Sequence, residues 1–134
     1  MTNALFVAAK VSFLKGNLDL DNDVKIVCVD HADDTPVAAT DDFLDDIAAG
    51  ARVATSGNVA NKTFTSATFD HDDVTISTVT GDPFESLVWY YDSTVAGTSA
   101  LFVFVDTATG LAFTPSGGTV TITISGSGVF TWTG

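Results

Sequence analysis

Glutamine is absent from this 134-residue chain, and Glu85 is the sole glutamate beside sixteen aspartates. Helix surfaces draw on Glu, Gln, Lys and Arg, whereas Asp bonds to nearby backbone and settles in turns and caps. A largely helical protein is thereby excluded. Bases are nearly as scarce, with five Lys and Arg against seventeen acids and a net charge of −12. A field of that sign repels phosphate backbones and anionic lipid, which argues against nucleic-acid and membrane-surface partners. The single cysteine, Cys28, has no second thiol in the chain to pair with and fits a reducing compartment. No apolar run approaches the roughly 18 residues of a bilayer span. Missing too are a phosphate-binding loop, a dinucleotide fingerprint, a Gly-x-Ser-x-Gly elbow and paired-cysteine zinc spacing.

What the chain does contain is β-branched and apolar. Twenty threonines and sixteen valines suit a pleated, half-buried surface. Hydrophobic residues make up 46% and the mean hydropathy is +0.31, which excludes a disordered chain. The length suits one domain, residues 1–134, able to hide about two thirds of its unfolded surface. The expected fold is mainly β: an antiparallel β-sandwich with an N-terminal helix and one short additional helix.

Leu5, Phe6, Ala9, Phe13 and Leu14 recur at three- and four-residue spacing and predict an amphipathic helix, stopped by Gly16. Lys10 and Lys15 lie inside this stretch and no small-residue cleavage site follows, so it does not read as a secretory signal. Residues 24–29 are apolar at consecutive positions, as in a strand buried on both faces. An acidic loop with Pro36 leads to a short helix through Phe43, Leu44 and Ile47, capped by Thr40 or Asp41 and ended by Gly50. From Arg52 onward strands are expected at 63–65, 74–77, 86–92 and 99–106, the last two paired across a loop containing Gly97. Val120, Ile122 and Ile124 alternate with Thr119, Thr121 and Thr123, and residues 129–132 close the sheet.

Sites of chemistry are few. Asp19-x-Asp21-x-Asp23 opens like a calcium loop, but Val24 stands where that loop needs Gly and Asp30 where it needs Glu. A solvated turn is expected there. Asp30-His31-Ala32-Asp33-Asp34 and Asp70-His71-Asp72-Asp73 offer imidazole and carboxylate, and could share a metal only if two distant loops met. Asp stabilises turns unaided, so neither a metal nor any cofactor is expected. Cys28 falls in a buried strand, where thiols are inert, and no catalytic residue is assigned. Trp89, Tyr91 or Trp132 would serve a carbohydrate-binding module if exposed, whereas core packing is the ordinary fate of such aromatics. Residues 107–134 carry no charge at all. Free surfaces and strand edges are normally charged. This places an expected subunit contact at Thr119, Thr121, Thr123, Phe130 and Trp132.

Beyond these patterns, a recurring order is visible. Val79-Thr80-Gly81 precedes Ser86-Leu87-Val88-Trp89-Tyr90-Tyr91-Asp92, then Thr98-Ser99-Ala100-Leu101-Phe102-Val103-Phe104-Val105-Asp106. Gly110-Leu111-Ala112-Phe113-Thr114-Pro115-Ser116-Gly117-Gly118 and residues 119–124 complete it, with Asp42-Phe43-Leu44-Asp45-Asp46-Ile47 and Ala51-Arg52-Val53-Ala54 upstream. This order resembles small virion proteins from the structural modules of tailed bacteriophages, either head decoration (cement) proteins or tail and baseplate components. The resemblance implies a non-enzymatic protein on the outer head surface of the virion, assembled in the host cytoplasm. Its implied partners are the major capsid protein and copies of itself, as a homotrimer on a threefold position. Residues 128–134 depart from the more basic ending of such proteins.

Overall fold

Five of the six residues of Val24–Val29 are buried, as the unbroken apolar run requires of a central strand. The computed structural model describes residues 3–132, so Thr133 and Gly134 of the uncharged ending fall outside the described residues. In chain order the first five strands are β1 (Ala4–Leu5), β2 (Val24–Val29), β3 (Arg52–Thr55), β4 (Thr63–Thr65) and β5 (Thr68–Asp70). They are followed by β6 (Val74–Ile76), β7 (Ser86–Tyr91), β8 (Leu101–Val105), β9 (Val120–Ile122) and β10 (Phe130–Thr131). The single α-helix of the described residues, α1, spans Val7–Lys15.

The main sheet is antiparallel with strand order β1-β8-β7-β2-β3, and two smaller antiparallel sheets run β10-β5-β4 and β6-β9. The expected mainly β fold with an N-terminal helix is therefore present, in a sandwich-like arrangement. On β7, Leu87 and Trp89 share a face with their β2 neighbours Cys28 and Ile26, while Ser86 and Val88 share the other with Val29 and Val27. The small sheets cover the first face: Phe69 of β5 meets Phe102 at 5.9 Å and His71 meets Trp89 at 6.3 Å. On the second face, His31 stacks on Phe104 at 6.2 Å and Phe6 meets the same ring edge-on at 6.4 Å.

Several local expectations are corrected. Leu5 belongs to β1, opposite Val103, and Phe6 is extended and buried, so the helix starts only at Val7. Ala9 and Phe13 then define its inner face, and Leu14, turned about 100° from Phe13, points outward at 81% exposure. Gly16 does end the helix, in the left-handed conformation at φ 71°.

The additional helix is two separate 3₁₀ turns, Leu44–Asp46 and Ala49–Ala51, with Gly50 inside the second. Neither Thr40 nor Asp41 caps the first. Asp46 reaches back instead, its carboxylate accepting from the N–H groups of Asp42 at 2.8 Å and Phe43 at 3.1 Å. Asp41 accepts from Val37 N–H at 2.7 Å. A run this rich in Asp offers the backbone side-chain partners that compete with a continuous helix.

Residues 130–131 close a sheet, but it is the small one: Phe130 pairs with Phe69 of β5. The β4–β5 hairpin turns through Ser66 and Ala67, both at positive φ, where Asn-Gly or Asp-Gly would be the usual signal.

Candidate interaction surfaces

The alternation read at residues 119–124 holds in β9, whose Val120 and Ile122 are buried while Thr121 is exposed, as are Thr119 and Thr123 beside it. Val120 and Ile122 reach into the core cluster, and β6 holds β9 from one side through Thr75 opposite Thr121. The threonines border an open groove of about 620 Å³, whose apolar lining includes Phe84, Leu87, Leu111 and Phe113. No residue lining this groove carries a charge. Phe84 and Phe113 stack at 5.3 Å and are joined by backbone bonds in both directions, which fixes the groove wall.

Phe130 and Trp132 lie elsewhere. They border a second groove of about 670 Å³ with Phe13, Phe64, Leu18 and Leu20. Phe130 is half-buried, its ring 5.9 Å from Phe69 and 6.4 Å from Phe13. Trp132 stands edge-on to Phe13 at 5.9 Å and is 43% exposed. The five expected contact residues thus fall on two surfaces, one built by β9 and one by β10 with α1. Of the three aromatics considered for a sugar platform, Trp89 is buried and its N–H is already committed, and Tyr91 is half-buried. Trp132 alone presents an open ring.

The Asp-His clusters do not meet. His31 bonds Ser86 and His71 bonds Trp89, and these two β7 residues point to opposite faces of the main sheet. One acidic group does form: oxygens of Asp30, Asp33 and Asp82 lie within 4.8 Å of one another. Asp82 comes from the turn before β7, and no spacing in the sequence joins it to the other two. Such oxygens suit calcium or magnesium, although Asp30 already accepts from Ala32 N–H at 2.7 Å. The expected turn at 19–23 is present. Asp19 accepts from Asp21 N–H at 3.0 Å, and the Lys62 ammonium bonds the carbonyls of Leu20, at 2.7 Å, and Asn22. A lysine therefore sits on the backbone oxygens of this loop.

His31 Nε2 and Ser86 Oγ are 2.8 Å apart, a nucleophile–base distance that no motif in the sequence announced. Ser86 is fully buried, and His31 is pinned on Phe104, so no substrate reaches the hydroxyl. Burial also pushes the Cys28 thiol up to about 12, which keeps it protonated and inert. Compared with models of known protein families and with curated sequences, the chain matches none.

Proposed function

We propose that this chain is a non-enzymatic virion structural protein of a tailed bacteriophage, a cement protein that decorates the outside of the head. The observation that carries this reading is the uncharged β9 face. In a molecule of net charge −12, the exposed row Thr119, Thr121 and Thr123 flanks an apolar groove with no charge in its lining. A face of this kind is suited to burial against protein. The order of motifs along residues 79–124 supports the same class by resemblance.

The task in this reading is mechanical. Each copy bridges neighbouring subunits of the major capsid protein, with three copies around a threefold position of the lattice. Apolar burial contributes roughly 25 cal/mol per Å², and repetition over a shell multiplies it against the outward push of packaged DNA. The acidic remainder of the surface faces solvent, since DNA inside the head would repel it.

Particle incorporation tests the reading. Thr121→Lys and Thr123→Lys each place a charge on the exposed side of β9 and leave the core untouched. Loss of incorporation with an unchanged melting temperature is the expected result. Normal incorporation of both variants would overturn it.

A further inference from the structure

Strand β9 has a neighbour on one side only. Its sheet consists of β6 and β9, and no other strand among the described residues pairs with it. Backbone groups turn to alternate sides along a strand. Ile124 N–H turns to the Asp73 carboxylate at 2.8 Å, next to Val74 of β6, so the even-numbered residues face that strand. Thr119, Thr121 and Thr123 therefore present their N–H and C=O groups along the open edge. Every residue from Thr119 to Thr123 lines the groove beside β9, which leaves room along the whole edge.

Natural edges are guarded against further pairing by a charge, a proline or a bulge. Residues 119–123 contain neither charge nor proline, and the register of β9 with β6 is unbroken. The order Thr119-Val120-Thr121-Ile122-Thr123 also reads alike in both directions, with only Val and Ile exchanging places. Its threonines are exposed and its two aliphatic residues buried.

We propose that the open edge of β9 pairs with β9 of a second copy of this chain, antiparallel and about a twofold axis through Thr121. Each residue then meets its like: Thr121 stands opposite Thr121 of the other copy, Thr119 opposite Thr123 and Val120 opposite Ile122. The two small sheets join into one of order β6-β9-β9-β6. Residue order selects this occupant. An unrelated strand satisfies the backbone alone, whereas a copy also sets threonine on threonine along the exposed face and apolar on apolar along the inner one. Charge selects it too. A chain of net charge −12 repels its own kind wherever acids meet, and this edge brings none together. The inference rests on the proposed reading of this face as an interface and names its partner. On a capsid the pair joins copies at neighbouring threefold positions, across the twofold between them.

Sedimentation velocity of the purified full chain, over a concentration series up to hundreds of micromolar, reads the contact directly. A monomer–dimer equilibrium is expected. Thr121→Lys and Thr121→Glu each set like charges opposite one another on the axis, and each raises the dissociation constant by about tenfold or more. An equimolar mixture of the two variants restores the dimer, because a twofold axis brings residue 121 against itself and so pairs the opposite charges. Circular dichroism verifies that both variants fold. A monomer throughout the series, a trimer as the associating species, unchanged dimerisation in either variant, or a mixture no tighter than its components would overturn the pairing. The virion role fails separately. A dimer that behaves as described, together with normal particle incorporation of Thr121→Lys and Thr123→Lys, refutes that role and leaves the pairing standing. A chain that stays monomeric, yet is lost from particles in both variants, refutes the pairing alone.

Discussion

The indole Nε1–H of Trp89 donates to His71 Nε2 at 2.9 Å, joining the main sheet to the segment that follows β5. His71 Nδ1 lies 2.7 Å from the Asp72 carbonyl and donates to it. An indole N–H only donates, so Nε2 must be unprotonated and the ring is held in one neutral tautomer. Protonation would break the bond that ties the two layers.

A pH dependence follows. Burial pushes the His71 imidazole below its ordinary value of 6.5, opposing the Asp72 carbonyl bond and the nearby Asp70, Asp72 and Asp73, which pull it upward. The unfolded chain takes up the proton first. The stability that His71 contributes is complete above about 6.5 and is lost as pH falls through that value toward the folded one. Urea midpoints at pH 7.5 and 5.5 should show this loss. In His71→Leu the loss across that window should shrink, and the orphaned Trp89 N–H should cost about 1–3 kcal/mol at pH 7.5. An identical pH slope in the variant would refute this role. Asp92 acts in a lower window. Its hydrogen bond to Lys25 holds its carboxyl below the ordinary 3.8, so its contribution fades only in acid.

Lys62 should matter for stability because it ties down the 19–23 turn, whose Leu20 borders the second groove. Lys62→Ala frees the carbonyls of Leu20 and Asn22 and removes charge-assisted bonds worth about 1.5–3 kcal/mol. Thermal melts measure the loss. Any change in melting temperature on adding millimolar calcium should be the same in Asp19→Ala as in the wild type, because the ammonium already occupies the oxygens of this loop.

Asp46→Ala should cost about 1 kcal/mol by exposing the N–H groups of Asp42 and Phe43. Asp45→Ala, one residue away with no backbone bond to lose, should be close to neutral. Equal melting temperatures for the two variants would mean that the reverse cap contributes nothing.

Cys28 should resist thiol reagents in the native protein and react once denaturant unfolds it. Rapid labelling under native conditions would contradict its burial in β2.

The legible parts of the fold are those where one local signal decides the outcome. The apolar run of Val24–Val29, the β7–β8 pair and the alternation through Val120 and Ile122 each bury the residues that their pattern implies. Leu5 and Phe6 misled because their spacing suits a helix, while pairing with Val103 captured Leu5 for the sheet. β5 was hidden because Ser66 and Ala67 adopt positive φ without the residues that usually advertise it. For the candidate surface, the threonine row was readable from alternation alone. The separation of Phe130 and Trp132 from it was not, since it depends on β10 pairing with β5 across more than sixty residues of chain. The outward turn of Leu14 was obscured for the same reason as the start of α1: the phase of the helix is set by Ala9 and Phe13 after Phe6 leaves it.

The most direct test of the proposed role is a reconstruction of the virion that, in the proposed reading, carries this chain. The expected result is density for this fold on the outer head surface, with Thr119, Thr121 and Thr123 turned toward a neighbouring subunit. Density confined to the tail, or a purified particle that lacks the chain altogether, would contradict it.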